Sequence, residues 1–102
     1  MNKIFLCCAA GMSTSMVVDK MKTAAKEKNI EVDIIAVGLE EFDATLPDYD
    51  LCLLGPQVRY KHQDFATRAA AYNKQVKVIN AMDYGMMNGE KILGDALKAL
   101  ID

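Results

Sequence analysis

Strands alternating with helices across 102 residues predict a single α/β domain, residues 1–102, built on a four-stranded parallel sheet with helices on both faces. Two observations carry this. Four short apolar runs are each followed by a helical pattern. Two of those runs hold no charge inside, as strands buried on both faces should, whereas the other two are each interrupted by one.

The first strand is read over Lys3 to Cys8. A helix follows from Ser13 to Lys28, with Val17, Met21, Ala24 and Ala25 on one face and Asp19, Lys22 and Lys26 elsewhere. Ser13 is the expected N-cap. Glu31 to Val37 is the second strand, where Val32, Ile34 and Ala36 alternate against Asp33. The acidic crossover from Leu39 to Leu46 has room for a turn or two of helix, ended by Pro47. Asp50 to Leu54 is the third strand. The next helix, Gln57 to Tyr72, carries the stripe Val58, His62, Phe65, Ala69 and Tyr72. Gln75 to Ile79 is the fourth strand. The last helix, Asn88 to Ile101, shows Ile92, Leu93, Ala96, Leu97, Leu100 and Ile101 on one side. Asp33 and Lys77 mark the second and fourth strands as edges, which gives the order 2-1-3-4. The chain then changes direction between strands 1 and 3, and ligands of such sheets bind beyond the strand ends at that point. The loop after Cys8 and the turn Gly55-Pro56-Gln57 both fall there.

Composition narrows the functional classes. Hydrophobic residues make up 52%, charged residues 25%, and the net charge is −2, so neither nucleic acid nor an anionic membrane surface is called for. No apolar run approaches the roughly 20 residues of a spanning helix. Met1-Asn2-Lys3 leads directly into a strand without a signal-peptide cleavage site, and the cytoplasm is the expected compartment. Three cysteines, two of them adjacent, fit reduced thiols better than a disulfide framework. There is no Cys-x-x-Cys pair and one histidine, so no metal or other cofactor is expected.

The most informative stretch is Leu6-Cys7-Cys8-Ala9-Ala10-Gly11-Met12-Ser13-Thr14-Ser15, a thiol at the end of a buried strand followed by small residues and hydroxyls. Backbone N–H groups at the start of a helix lack intrahelical partners and, with the helix dipole, form an anion site. Ala9, Ala10 and Gly11 let the backbone wrap closely around a ligand, and Gly11 can adopt a left-handed conformation. Ser13, Thr14 and Ser15 offer hydroxyl donors. The same field favours thiolate over thiol at Cys8, and thiolate is the nucleophile. Cys7 and Cys52, inside apolar strands, read as small core residues.

Cys8-Ala9-Ala10-Gly11-Met12-Ser13-Thr14-Ser15 closely resembles the active-site loop of enzyme IIB components of the lactose/cellobiose (chitobiose) class, in the bacterial phosphoenolpyruvate-dependent sugar phosphotransferase system. The usual form reads Cys-Ser-Ala-Gly-Met-Ser-Thr-Ser, so Ala9 replaces a serine here. Leu53-Leu54-Gly55-Pro56-Gln57 with Tyr60, and Tyr84-Gly85 with Asn88-Gly89, extend the resemblance over nearly the whole chain. It implies a phosphoryl relay in sugar uptake and a fold similar to that of low-molecular-weight tyrosine phosphatases. Cys8 would accept a phosphoryl group from a phosphohistidine of enzyme IIA. It would pass the group to a sugar at the membrane permease enzyme IIC, the sugar being a β-linked disaccharide such as cellobiose, chitobiose or lactose. Ala9 to Ser15 would bind the phosphate, and Gly55, Pro56, Gln57, Tyr60 and Tyr84 are candidate contacts with the site or a partner. The expected location is the cytoplasm, transiently at the inner face of the membrane through the permease.

Three other readings compete. A phosphatase of the low-molecular-weight tyrosine type would carry an arginine at the sixth position after its cysteine, where this chain has Thr14. It would also need an acid; Asp83 is the one candidate, and it reads more simply as a solvated aspartate. A non-catalytic phosphate-sensing module would not need the thiol. Thiol redox chemistry at Cys7-Cys8 is disfavoured because adjacent strand residues point to opposite faces. His62 reads as a partly buried helix residue, Arg59 and Lys61 as solvated charges, and Met12, Met86 and Met87 as an adaptable apolar rim.

Overall fold

The structure is a computed structural model that describes residues 2–9 and 11–101, with the side chains of 11–13 outside the description. Strand β1 runs over Asn2–Cys8, β2 over Val32–Gly38, β3 over Leu51–Leu54 and β4 over Gln75–Val78. All pair in parallel in the order β2-β1-β3-β4, as the charge pattern predicts. Ile4 of the central strand β1 sits opposite Ile34 on one side and Leu51 on the other. β3 is buried throughout, while Val76 is the one buried position of the edge strand β4.

Alternation along the strands sorts their side chains into two cores. Ile4 and Leu6 of β1, Ile34 of β2, and Leu51 and Leu53 of β3 face helices α1 (Gly11–Glu27) and α5 (Gly89–Ile101). From α1 come Val17, Val18, Met21, Ala24 and Ala25, and from α5 come Ile92, Leu93, Ala96 and Ala99. On the other side of the sheet, Phe5, Cys7, Cys52, Leu54 and Val76 meet the crossover and helix α3 (His62–Ala70). The crossover is more helical than its composition implies. A 3-10 turn at Leu39–Glu41, the four-residue helix α2 (Phe42–Thr45) and a second 3-10 turn at Leu46–Asp48 run on without a break. Pro47 does not end it but lies in the first positions of the last turn, where its missing N–H leaves no bond unmade.

Helix α1 starts at Gly11, so Ser13 is inside the first turn and is not the N-cap. The helix read from Gln57 begins instead as 3-10 turns over Pro56–Lys61, broken at Val58 (φ −117°, ψ 23°), and becomes α-helical only at His62. Val58, Phe65 and Ala69 are buried as the stripe requires, but His62 and Tyr72 are exposed. The His62 ring reaches back to donate from Nε2 to the Val76 carbonyl at 2.8 Å. At the end of α5, Ile101 is 85% exposed because the helix outruns the sheet.

One close approach joins the first and last helices. A Cβ at Gly89 would lie 2.6 Å from both Lys20 O and Met21 N, so the start of α5 rests on the backbone of α1. Gly89→Ala should therefore force the helices apart and cost about 1–3 kcal/mol. Gly94→Ala, with nothing near its added carbon, should gain roughly 0.5–1 kcal/mol from helix propensity. Urea midpoints at constant m-value measure both, and two shifts of the same sign would contradict the packing account.

Candidate functional site

Cys8 is the last residue of β1 and is 2% exposed. Its place in the alternation matches Ile4 and Leu6, so its sulfur lies on the α1 side of the sheet while Cys7 turns to the other core. Ala9 is exposed, Ala10 lies outside the described residues, and α1 begins at Gly11. The amides of the first turn of α1 thus begin three residues after the thiol, at Gly11.

Of the three hydroxyl residues, Thr14 is 1% exposed and its Oγ1 lies 3.1 Å from the Tyr84 hydroxyl. Ser15 is exposed. With Cys8, Ala9 and Thr14 it lines a cavity of about 310 Å³ whose wall also includes Gly38 at the end of β2 and Glu40 and Glu41 of the turn that follows. The side chains of Met12 and Ser13 lie outside the description.

The second loop leaves β3 at Gly55, whose N–H donates to Cys7 O at 3.1 Å and whose carbonyl accepts from Val58 N–H at 3.0 Å. Pro56 opens the 3-10 turn. A Cβ at Gly55 would stand 2.7 Å from Gln57 Oε1 and 3.4 Å from Cys8 Sγ, so the Gln57 side chain folds back closely over this glycine toward the sulfur. Gln57 Nε2 donates to Cys8 Sγ at 2.6 Å and to the Tyr84 hydroxyl oxygen at 3.3 Å. The Tyr84 hydroxyl is itself 3.9 Å from Cys8 Sγ. Tyr60 is 71% exposed and joins none of these hydrogen bonds.

Tyr84 is held by an element that the apolar pattern does not reveal, the short helix α4 (Ala81–Gly85). Asn80 caps it, its Oδ1 accepting from Met82 N–H at 2.9 Å and Asp83 N–H at 3.1 Å. An asparagine just past the fourth strand was the available signal. Asp83 leaves the same helix toward α5, where Lys91 Nζ lies 3.9 Å away. Met86 is 70% exposed, while Met87 packs on the first core.

The other two thiols are structural. Cys7 Sγ donates to Gly38 O at 3.4 Å, and burial pushes the Cys52 thiol far up, so it stays neutral within the second core. No disulfide forms among the three cysteines. Among the described residues, no group of three or more His, Cys, Asp and Glu side chains is placed to hold a metal ion.

A parallel 2-1-3-4 sheet with a cysteine at the switch point, followed by a helix start, is therefore the frame to compare with known proteins. The family described as "PTS system, Lactose/Cellobiose specific IIB subunit" matches residues 3–95. The chain belongs to that family. A IIB component of this kind is a phosphotransferase of the sugar phosphotransferase system. The oligo-beta-mannoside-specific EIIB component of Bacillus subtilis is 39% identical over 102 residues, covering 100% of this chain and 99% of its own length. The galactose-specific EIIB component of Lactococcus lactis is 42% identical over 98 residues, covering 91% of each. The solution structure of a cellobiose-specific IIB component from Borrelia burgdorferi superposes with a TM-score of 0.81 at 37% identity, over 97% of this chain and 91% of that one. The lactose-specific IIB domain of Streptococcus pneumoniae shares the fold, with a TM-score of 0.85 at 21% identity over 96% of both chains. As a IIB component, the chain takes part in the phosphoryl relay of sugar uptake. No helix among its described residues is long and apolar enough to cross a membrane.

Proposed function

We propose that Cys8 is the residue that carries the phosphoryl group, with residues 1–102 acting as one carrier domain. The observation behind this is the position of its sulfur, at the carboxyl end of a central strand, beside the opening of α1 and within reach of the Gln57 amide. On loading, an electron pair of the Cys8 thiolate forms the S–P bond in line as the P–N bond of an enzyme IIA phosphohistidine breaks, its pair remaining on the imidazole nitrogen. On unloading, a hydroxyl oxygen of a sugar held by the permease enzyme IIC attacks phosphorus, and the S–P pair returns to sulfur. The hydroxyl proton goes to a base beside the sugar. Backbone amides from Ala9 to Ser15, with the hydroxyls that turn inward, receive the equatorial oxygens in both steps.

Gly55, Pro56 and Gln57 shape the far wall, Tyr84 closes the site from α4, and the exposed Tyr60 is a contact for a partner. The buried threonine at position 14 supplies no guanidinium, and Asp83 is turned to Lys91, which argues against the arginine and the aspartic acid of a phosphatase of the low-molecular-weight tyrosine type. Such a site suits an intermediate that must outlast the departure of one partner and the arrival of the next. The sugar is a β-linked disaccharide such as cellobiose, chitobiose or lactose, a reading supported by the oligo-beta-mannoside- and cellobiose-specific relatives. The chain works in the cytoplasm and meets the membrane through the permease.

Intact mass after incubation with phosphorylated enzyme IIA tests this. The chain should gain one phosphoryl group that persists when the donor is removed, and Cys8→Ala should gain none. Release of free phosphate as fast as it is loaded, or loading that survives Cys8→Ala, would overturn it.

A further inference from the structure

Resting on the carrier reading above, we propose that Gln57 and Tyr84 set how readily Cys8 gives its phosphoryl group away, by stabilising the thiolate that is left behind. The hydrogens of the three groups can be counted. The Gln57 amide has two, and its Nε2 lies 2.6 Å from Cys8 Sγ and 3.3 Å from the Tyr84 oxygen, so one serves each. The Tyr84 oxygen then accepts from Gln57 and keeps its own hydrogen for Thr14 Oγ1 at 3.1 Å or Cys8 Sγ at 3.9 Å. Thr14 is buried in the first turns of α1, and Asn80 fixes the start of α4, so the phenol is held from both sides. The sulfur therefore meets an amide and a phenol brought from two different loops.

Donors of this kind act unequally on the two states of the carrier. In the thiolate the full negative charge sits on sulfur, and a hydrogen bond to a charged acceptor is worth more than one to a neutral acceptor. In phosphocysteine the sulfur bridges carbon and phosphorus, and the charge has moved to the phosphoryl oxygens. A donor aimed at sulfur thus favours the unloaded state. It promotes S–P cleavage toward the sugar hydroxyl and opposes net loading from the phosphohistidine. The amide has no proton to surrender to the departing sulfur, so the effect comes without general-acid chemistry.

Loading and unloading should then respond in opposite directions. The parent chain, Gln57→Leu and Tyr84→Phe are each equilibrated with a limiting amount of phosphorylated enzyme IIA, and the ratio of phosphocysteine to phosphohistidine is read by intact mass. Transfer from each loaded chain to sugar is timed on vesicles containing the permease. Gln57 is exposed, so its leucine variant should keep the fold, and phenylalanine keeps the Tyr84 ring. The ratio should rise toward phosphocysteine by roughly tenfold for Gln57→Leu. It should rise less for Tyr84→Phe, whose hydroxyl is the more distant donor, and onward transfer should slow in both. A merely structural role would lower loading and transfer together. An unchanged or falling ratio in both variants overturns the proposal. Failure of the parent chain to take up a phosphoryl group at Cys8 is a separate result, and it overturns the carrier reading itself.

Discussion

A Cys8→Ser chain should fail to forward a phosphoryl group under conditions in which the parent chain is loaded fully. The substitution changes one atom at a position 2% exposed, so the fold should survive it. The chemistry should not. A serine hydroxyl is far less acidic than a thiol, so far less of the attacking anion is on hand, and the Gln57 amide beside position 8 cannot take its proton. The single histidine is bonded to the Val76 carbonyl at the side of β4. Loading should slow by a factor on the order of 10³ or more. Any phosphoserine that does form is an oxygen ester with a poorer leaving group than thiolate, and it should accumulate as a dead end. Time courses of intact mass and of sugar phosphate separate the two steps. Normal loading followed by normal forwarding would refute the role given to sulfur.

The second large effect is on stability. Phe42→Ala should cost about 3–5 kcal/mol, the usual range for removing a fully buried phenylalanine. Phe42 has no exposed surface; its ring stacks on Phe65 with centroids 3.9 Å apart and lies 5.9 Å from the ring of Phe5. It is the residue by which a short crossover closes the second core, and the four-residue helix around it has little stability of its own. Because domains are stable by only about 5–15 kcal/mol, the loss should lower the urea midpoint by a large fraction of its value. Phe42→Leu keeps much of the volume and should cost far less. Equal costs for leucine and alanine would mean that the crossover does not close on this ring.

Strand order was legible because single charges, Asp33 and Lys77, sit inside the strands that have one open side, while β3 and β1 beyond Lys3 carry none. The thiol at the switch point followed from the same reading. Other features were hidden for physical reasons. The capping preference of Ser13 pointed to a start there, yet the helix already runs at Gly11 and turns Thr14 inward to Tyr84. Pro56 begins tight 3-10 turns that periodicity cannot distinguish from α-helix. Helix α4, with five residues, is too short to show a stripe, so only the cap at Asn80 announced it. The contact between Gln57 and Cys8 joins two loops 49 residues apart, a proximity visible only in three dimensions.

Cys8 belongs to the first strand, whereas the groups that surround its sulfur enter at positions 14, 57 and 84. A chain still leaving the ribosome exposes its cysteine early, but without this company. Gln57 reaches the thiol only when β3 has paired beside β1, and Tyr84 arrives only after β4 has been laid down and α4 has docked. The pairing of Gln57 and Tyr84 with the sulfur is thus complete only once the whole sheet is in place. On the proposal above, a partly synthesised, truncated or misassembled copy holds the same nucleophile without the donors that favour release of its phosphoryl group, so ready unloading is reserved for the finished fold.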